Sequence, residues 1–301
     1  MELADKYRIK TKLKSAGSFD KQGKFLHAFQ IYNTLIHEYP DSEDVMIQYA
    51  LHLEGIEKYQ EAERILLDFI SRNPDSVAVR LFCGQLMLRY DNWEGCVDVL
   101  SVITLAEEPV AAFFTGYAQY KLQEYGLADI GFRNFLDHIK EHELIPDAYF
   151  YLAKVHLNLD DPAKAIGYLD LCAEYYSSNY EVHLLYAILH HRNKMYAHAL
   201  SSIDKALKLN AGDDLVIEWA AEIYYLNGNY SKSRTYYKKM FDFKENLNPE
   251  IFARLGDSCF QTKKYREAAD YFTQALALDP ENKLAAERMS LLEKYIKPVK
   301  K

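Results

Sequence analysis

"YREAADYFTQALALDP", Tyr265 to Pro280, contains the landmarks that organise the whole chain. Ala268 is the reference point. An aromatic residue, Tyr265, stands three positions before it, a large apolar residue, Phe272, four after it, and a small residue, Gly256, twelve before it. The same arrangement recurs around Ala28, Ala62, Cys96, Ala128, Ala165, Ala199 and Ser233, at spacings of 34, 34, 32, 37, 34, 34 and 35 residues from the N-terminal end. Self-similarity at a fixed period of this length marks an array of structural repeats.

The remaining landmarks keep the same register. The counterparts of Gly256 are Ala16, Ala50, Gly84, Gly116, Ala153, Ala187 and Ala221, so every one is Gly or Ala. The counterparts of Tyr265 are Phe25, Tyr59, Trp93, Tyr125, Pro162, Tyr196 and Tyr230, aromatic except for one proline. The counterparts of Phe272 are Tyr32, Leu66, Leu100, Phe132, Leu169, Ile203 and Tyr237. Two packed helices explain the pattern. A small side chain lets a first helix, A, approach a second helix, B, and the large residue stacks one turn beyond the alanine. Neither helix buries its stripe alone, so each pair needs a neighbour.

The prolines agree with this register. Pro40, Pro74 and Pro280 fall after helix B, while Pro109, Pro146 and Pro249 open helix A, where a missing N–H costs nothing. Pro162 is expected in the turn before helix B, and Pro298 lies in the tail. None interrupts an expected helix interior.

These residues resemble the tetratricopeptide repeat family. The match is closest from Pro249 to Asn282, where Phe252, Leu255, Gly256, Cys259, Ala268, Phe272, Ala275 and Pro280 stand at the family's signature spacing. It extends over roughly residues 9–282 and departs from the family at Lys12, Arg80 and Ala112, where a large side chain is usual. The resemblance implies an all-α, right-handed superhelical solenoid of about eight helix–turn–helix repeats. Their expected bounds are 9–42, 43–76, 77–108, 109–145, 146–179, 180–213, 214–248 and 249–282, with a capping helix over 283–297, in a single domain of residues 1–301. In that cap Leu284, Ala285, Met289, Leu292 and Ile296 share one stripe.

Composition narrows the function. At 301 residues two globular domains are the usual expectation, and the unbroken repeat overrides it. The net charge of −8 argues against nucleic acid, whose binding rests on neutralising phosphates. The cluster Lys6, Arg8, Lys10, Lys12 and Lys14 has two readings, a solvated terminal helix or a contact for an anionic partner. No apolar run reaches the ~18–20 residues of a membrane helix. The start "MELADKYRIKTKLK" lacks the apolar core of a secretion signal, so a cytoplasmic location is expected unless a signal has been removed.

Candidate chemistry is sparse. Cys83, Cys96, Cys172 and Cys259 form no CxxC and fall on expected core positions, as small buried hydrophobes. His138 and His142 are one helical turn apart without a third ligand, and read as exposed helix-end residues rather than a metal pair. His183 and His190 sit on an expected buried face, with His191 pointing elsewhere. No phosphate-binding glycine loop, nucleophile elbow or zinc-helix motif occurs. The expectation is therefore no enzyme, no catalytic residue, no cofactor and no metal.

In the family this chain resembles, helix A builds most of the inner, concave face. The corresponding positions here are Leu81, Gln85, Leu88, then Phe113, Tyr117, Tyr120, then Phe150, Lys154, Leu157, an apolar and aromatic patch. Towards the C-terminus they are Leu215, Glu218, Glu222, Tyr225, then Glu250, Ala253, Asp257, Phe260, an acidic end. Each ring in the patch has an alternative role in packing against adjacent helices. Members that clamp acidic chaperone tails use Lys, Arg and Asn at such sites, so that ligand is not expected. The surface suits a protein or peptide with apolar anchors beside basic residues. The primary expectation is a non-catalytic scaffold or adaptor, possible self-association included. A peptide-responsive regulator hinged near "EHELIP" is the alternative, and a repeat domain cut from a larger enzyme is a third reading.

Overall fold

Short three-residue turns set the architecture. A turn that short forces consecutive helices to run back against each other as antiparallel neighbours. The computed structural model describes residues 3–244, 248–292 and 295, and among them all regular structure is helical. The helices divide into two compact units, Met1–Leu159 and Asp160–Lys301.

The first unit contains α1 (Leu3–Lys21), α2 (Phe25–Glu38), α3 (Glu43–Gly55), α4 (Tyr59–Arg72), α5 (Val77–Arg89), α6 (Trp93–Leu100), α7 (Val110–Lys121), α8 (Tyr125–His138) and α9 (Ile145–Asn158). They pack as α1 on α2, α3 on α4, α5 on α6 and α7 on α8, with α9 against α7 and α8. The second unit contains α10 (Pro162–Tyr175), α11 (Tyr180–Arg192), α12 (Tyr196–Leu209), α13 (Asp214–Leu226), α14 (Tyr230–Lys239), α15 (Pro249–Gln261), α16 (Tyr265–Leu278) and α17 (Lys283–Leu292). A short 3-10 turn, Met240–Asp242, follows α14. Within this unit α11 packs on α12, α13 on α14 and α15 on α16, and α17 covers α15 and α16. Each unit is an all-α array of paired helices of the repeat-solenoid class.

The landmark residues form the core. Ala28, Ala62, Cys96, Ala128, Ala165, Ala199, Ser233 and Ala268 have no exposed surface. Their large partners, from Tyr32 to Phe272, are also buried. The aromatic landmarks open the even-numbered helices, α2 through α16. Pro162 does likewise, as the first residue of α10 rather than a residue of the preceding turn. That is the helix position where proline loses no hydrogen bond. The shortest spacing reflects an α6 of only 8 residues. The longest reflects the segment 139–144 between α8 and α9.

The small-residue sites are the points of closest approach. A Cβ on Gly84 would lie 2.6 Å from the Leu100 side chain, and one on Gly256 would lie 2.7 Å from the Phe272 ring. Ser233 replaces alanine by satisfying its hydroxyl inside the core. It donates to the Ala221 carbonyl at 3.0 Å and lies 3.2 Å from the Ser258 hydroxyl.

Each turn before an even-numbered helix carries one residue at positive φ, two positions before the helix begins. Gly23 and Gly228 hold it at 70° and 72°. Glu57, Asp91, Gln123, Asp160, Lys194 and Lys263 hold it at 56–63°. An L-residue there costs about 1–2 kcal/mol, whereas glycine costs roughly 0.5–1 kcal/mol in chain entropy. Lys263→Gly is therefore expected to raise stability by about 0.5–1 kcal/mol, measured by urea unfolding. A loss of stability would mean that the turn is held by contacts of the lysine.

The four cysteines form no disulfide among the described residues and have no exposed surface. Burial pushes the Cys83 and Cys96 thiols up to about 12 and the Cys259 thiol up to about 11. Thiolate is the reactive form. A colorimetric thiol reagent at pH 8 is expected to find no rapidly reacting cysteine in the native chain and all four after denaturation. One fast native thiol would contradict the packing.

The capping helix begins as expected at Lys283, where the Asn282 side chain accepts from Ala285 N at 3.0 Å. Ala285 and Leu292 are buried. Ile296 and Lys297, in its expected extension, lie outside the described residues.

Candidate functional site

In the first unit, the helix-A residues expected to bind a partner occupy α5, α7 and α9. Leu81 and Leu88 are half-buried and pack against the core, and Gln85 is also half-buried. Phe113 and Phe150 are buried, at 5% and 8% exposure. Phe113 spends its ring on Phe132 and Phe135, with centroids 5.5 and 5.4 Å away. The packing role is therefore the one these two rings fill.

Tyr117 and Tyr120 are half-buried and converge on Tyr151, at 5.0 and 5.5 Å. Burial raises the Tyr151 and Tyr120 phenols above their ordinary value. Two lysines cover the aromatic cluster. Lys154 lies 4.4 Å from the Phe150 centroid, and Lys121 lies 5.2 Å from Trp93. Leu157 is half-buried at the end of the series. Tyr151, Trp93 and Lys121 were not among the expected site residues.

The second unit holds a cleft of about 390 Å³ between α13 and α15. Leu215, Glu218, Trp219 and Glu222 line one side, and Glu250, Ile251 and Arg254 the other. His191, Tyr237, Met240 and Asn248 complete it. Leu215 stands 58% exposed at the edge.

The polar floor of the cleft is internally compensated. Arg254 pairs with Glu222 and, through Nε, with Glu250 at 2.7 Å. The Tyr237 hydroxyl donates to Glu222 at 2.9 Å. Lys244 Nζ lies 2.6 Å from Glu218. Asp257 is only 1% exposed, pairs with Arg288 at 2.7 Å and accepts from the Tyr225 hydroxyl at 2.8 Å. Ala253 is buried, and Phe260 meets Tyr265 edge-on at 5.6 Å. The acidic end expected from sequence is thus a set of four carboxylates facing three cations. Glu218 and Glu250 keep the most exposed carboxylates, at 39% and 48%.

His191 meets Trp219 edge-on at 5.4 Å, with Nε2 4.0 Å from Glu222. Burial holds the His191 imidazole below its ordinary value, against the opposing pull of Glu222. Burial also lowers His190, helped by His198, whose ring is 5.5 Å away. Lowered folded values mean that the folded chain binds fewer protons. The stability these groups contribute is present above about pH 6.5 and is lost as pH falls through their lowered values. Thermal midpoints are therefore expected to fall on acidification, and His190→Gln with His191→Gln to flatten that fall. An unchanged slope in the double variant would contradict this assignment.

His138 and His142 serve the backbone. His138 Nδ1 lies 2.8 Å from the Asn134 carbonyl, and His142 Nδ1 accepts from Leu144 N at 3.1 Å. Among the described residues no group of three or more His, Cys, Asp or Glu is arranged to hold a metal ion. No described helix is long and apolar enough to cross a membrane.

Comparison with known proteins follows the same pattern. Models of the tetratricopeptide repeat match residues 249–282, 11–42 and 147–179. The chain is similar to a tetratricopeptide repeat protein from Parabacteroides merdae, with a TM-score of 0.57 at 15% identity, covering 83% of this chain and 98% of that one. It is equally similar in fold to a chain of the APC/C hetero-tetramer Cut9–Hcn1, with a TM-score of 0.57 at 14% identity, covering 89% of this chain and 52% of that one. A stretch of 123 residues is 28% identical to human Protein O-mannosyl-transferase TMTC1, and one of 120 residues is 28% identical to the mouse protein. These stretches are 39% and 38% of this chain but only 14% and 12% of those proteins.

Proposed function

Because the chain is a tetratricopeptide repeat protein, we propose that it is a non-catalytic scaffold that holds a partner segment along its helix-A faces. Repeats of this kind present extended surfaces for protein partners. We read residues 1–301 as one solenoid of eight repeats plus cap, acting in the cytoplasm. The observation that carries the reading is the α13–α15 cleft, whose volume falls within the range of about 300–1,000 Å³ usual for ligand sites. Its apolar wall of Leu215, Trp219 and Ile251 suits an aliphatic or aromatic anchor. A basic neighbour of that anchor would reach the outer oxygens of Glu218 and Glu250, in exchange with Lys244 and Arg254.

The half-buried tyrosines of α7 extend the same mode to the first unit. The transferase activity in the name of the human relative belongs to that protein, and the shared stretch is a small part of its length. Nothing in the proposed binding mode involves bond making.

Peptide display against the full chain tests the reading. The expected selection is sequences with one large apolar residue next to Lys or Arg. Leu215→Glu, at an exposed position that leaves the core alone, is expected to weaken the selected peptides about tenfold or more. Absence of such sequences from the selection, or their full retention by Leu215→Glu, would sink it.

A further inference from the structure

We propose that the lysine face of α1 is a docking site for an extended acidic protein segment. Lys6, Lys10, Lys14 and Lys21 fall along one stripe of the helix, since four-residue steps return to the same face. They line an open cleft of about 900 Å³ with Asp44 and Gln48 of α3 on its far wall. All four are exposed, and among the described residues none lies within ion-pairing distance of a carboxylate. Arg8 and Lys12, on the other side of α1, are neutralised by Glu38 at 3.0 and 3.1 Å. The helix thus separates paired cations from cations left open. Lysines four residues apart repel each other on a helix, so the fold gains nothing from this stripe.

The spacing selects the ligand's form. Lys6, Lys10 and Lys14 advance about 6 Å per step along the helix axis. Alternate side chains of an extended chain advance about 6.6 Å. Acidic residues at every second position therefore track the three lysines, and Lys21 takes a further one. Gly17 lies in the floor of the cleft, and a Cβ there would meet nothing within 4 Å, so the floor is open for a passing backbone. A cleft two helices wide admits one extended chain. A duplex or a bilayer meets Asp44 and the net charge of −8 as well, and both repel a dense polyanion.

The test is fluorescence anisotropy at low salt, with the full chain and a labelled peptide carrying glutamate at alternate positions. The surface is separate from the α13–α15 cleft, so Leu215→Glu is expected to bind this peptide unchanged. Lys10→Gln with Lys14→Gln is expected to weaken binding about tenfold, and Arg8→Gln with Lys12→Gln less than about twofold, though both remove two charges. Gly17→Leu keeps every charge and fills the floor, and is also expected to weaken binding. No binding at low salt, equal loss in the two charge variants, or unchanged affinity in Gly17→Leu would each overturn the proposal. So would tighter, Lys10- and Lys14-dependent binding of a DNA oligonucleotide or of phosphatidylserine vesicles.

Discussion

Gly131→Val is expected to destabilise the first unit by more than about 3 kcal/mol, the upper range for overpacking a filled site. Gly131 of α8 faces Gly116 of α7. A Cβ added there would lie 2.8 Å from the Gly116 Cα and 3.0 Å from the Ala112 carbonyl oxygen. The obstacle is backbone, which cannot rotate aside as a flexible side chain does. Even Gly131→Ala is expected to cost about 1–3 kcal/mol. Gly167 of α10 provides the contrast, because a Cβ there meets nothing within 4 Å. Gly167→Ala is therefore expected to stabilise by up to about 1 kcal/mol, the helix propensity difference alone. Urea unfolding of both alanine variants gives opposite signs if helix approach is the determinant. A shared sign would contradict it.

The second large effect is expected at Phe272→Ala. This ring has no exposed surface and lies against the Cα of Gly256, in the notch that the missing side chain creates. Truncation removes the ring's buried area and leaves a cavity that close-packed helices collapse only in part. The expected loss is about 3–5 kcal/mol. Gly256→Ala approaches the same contact from the other side and is expected to cost about 1–3 kcal/mol. Combining the two should cost less than their sum, because the added methyl enters space that the ring has vacated. Strict additivity in the double variant would mean that the two residues do not share a contact.

The landmarks were legible because close packing restricts residue size at fixed points. Ala28 to Ala268 and their small and large partners are all buried, and the aromatic landmarks coincide with helix starts. Other features left no such trace. The positive-φ position is filled by Glu, Asp, Gln and Lys at six of eight turns, so composition does not reveal it. The compensation of the acidic end depends on pairs such as Arg254–Glu222 and Lys244–Glu218, which join residues far apart in sequence. Trp219 and Arg254 had one available signal, since both stand two residues before a small-residue site, Ala221 and Gly256. Lys14 stands at the same offset from Ala16, at the edge of the α1 cleft. Phe113 and Phe150 show the converse limit. Helix periodicity placed them on the face under discussion, and packing depth, which periodicity does not encode, buried them.

The most direct test of the helix-A faces as the binding surface is affinity capture from the source cell's lysate with three matched baits. The first is the unaltered chain. The second carries Tyr117→Lys and Tyr120→Lys on α7. The third carries Leu127→Lys and Ile130→Lys on α8, where both residues are about half exposed, at 50% and 49%. Circular dichroism establishes that all three are folded. The expected result is a protein captured by the first and third baits and missing from the second. A protein captured by the first and second baits and missing from the third would place the binding surface on the even-numbered helices and contradict the proposed function.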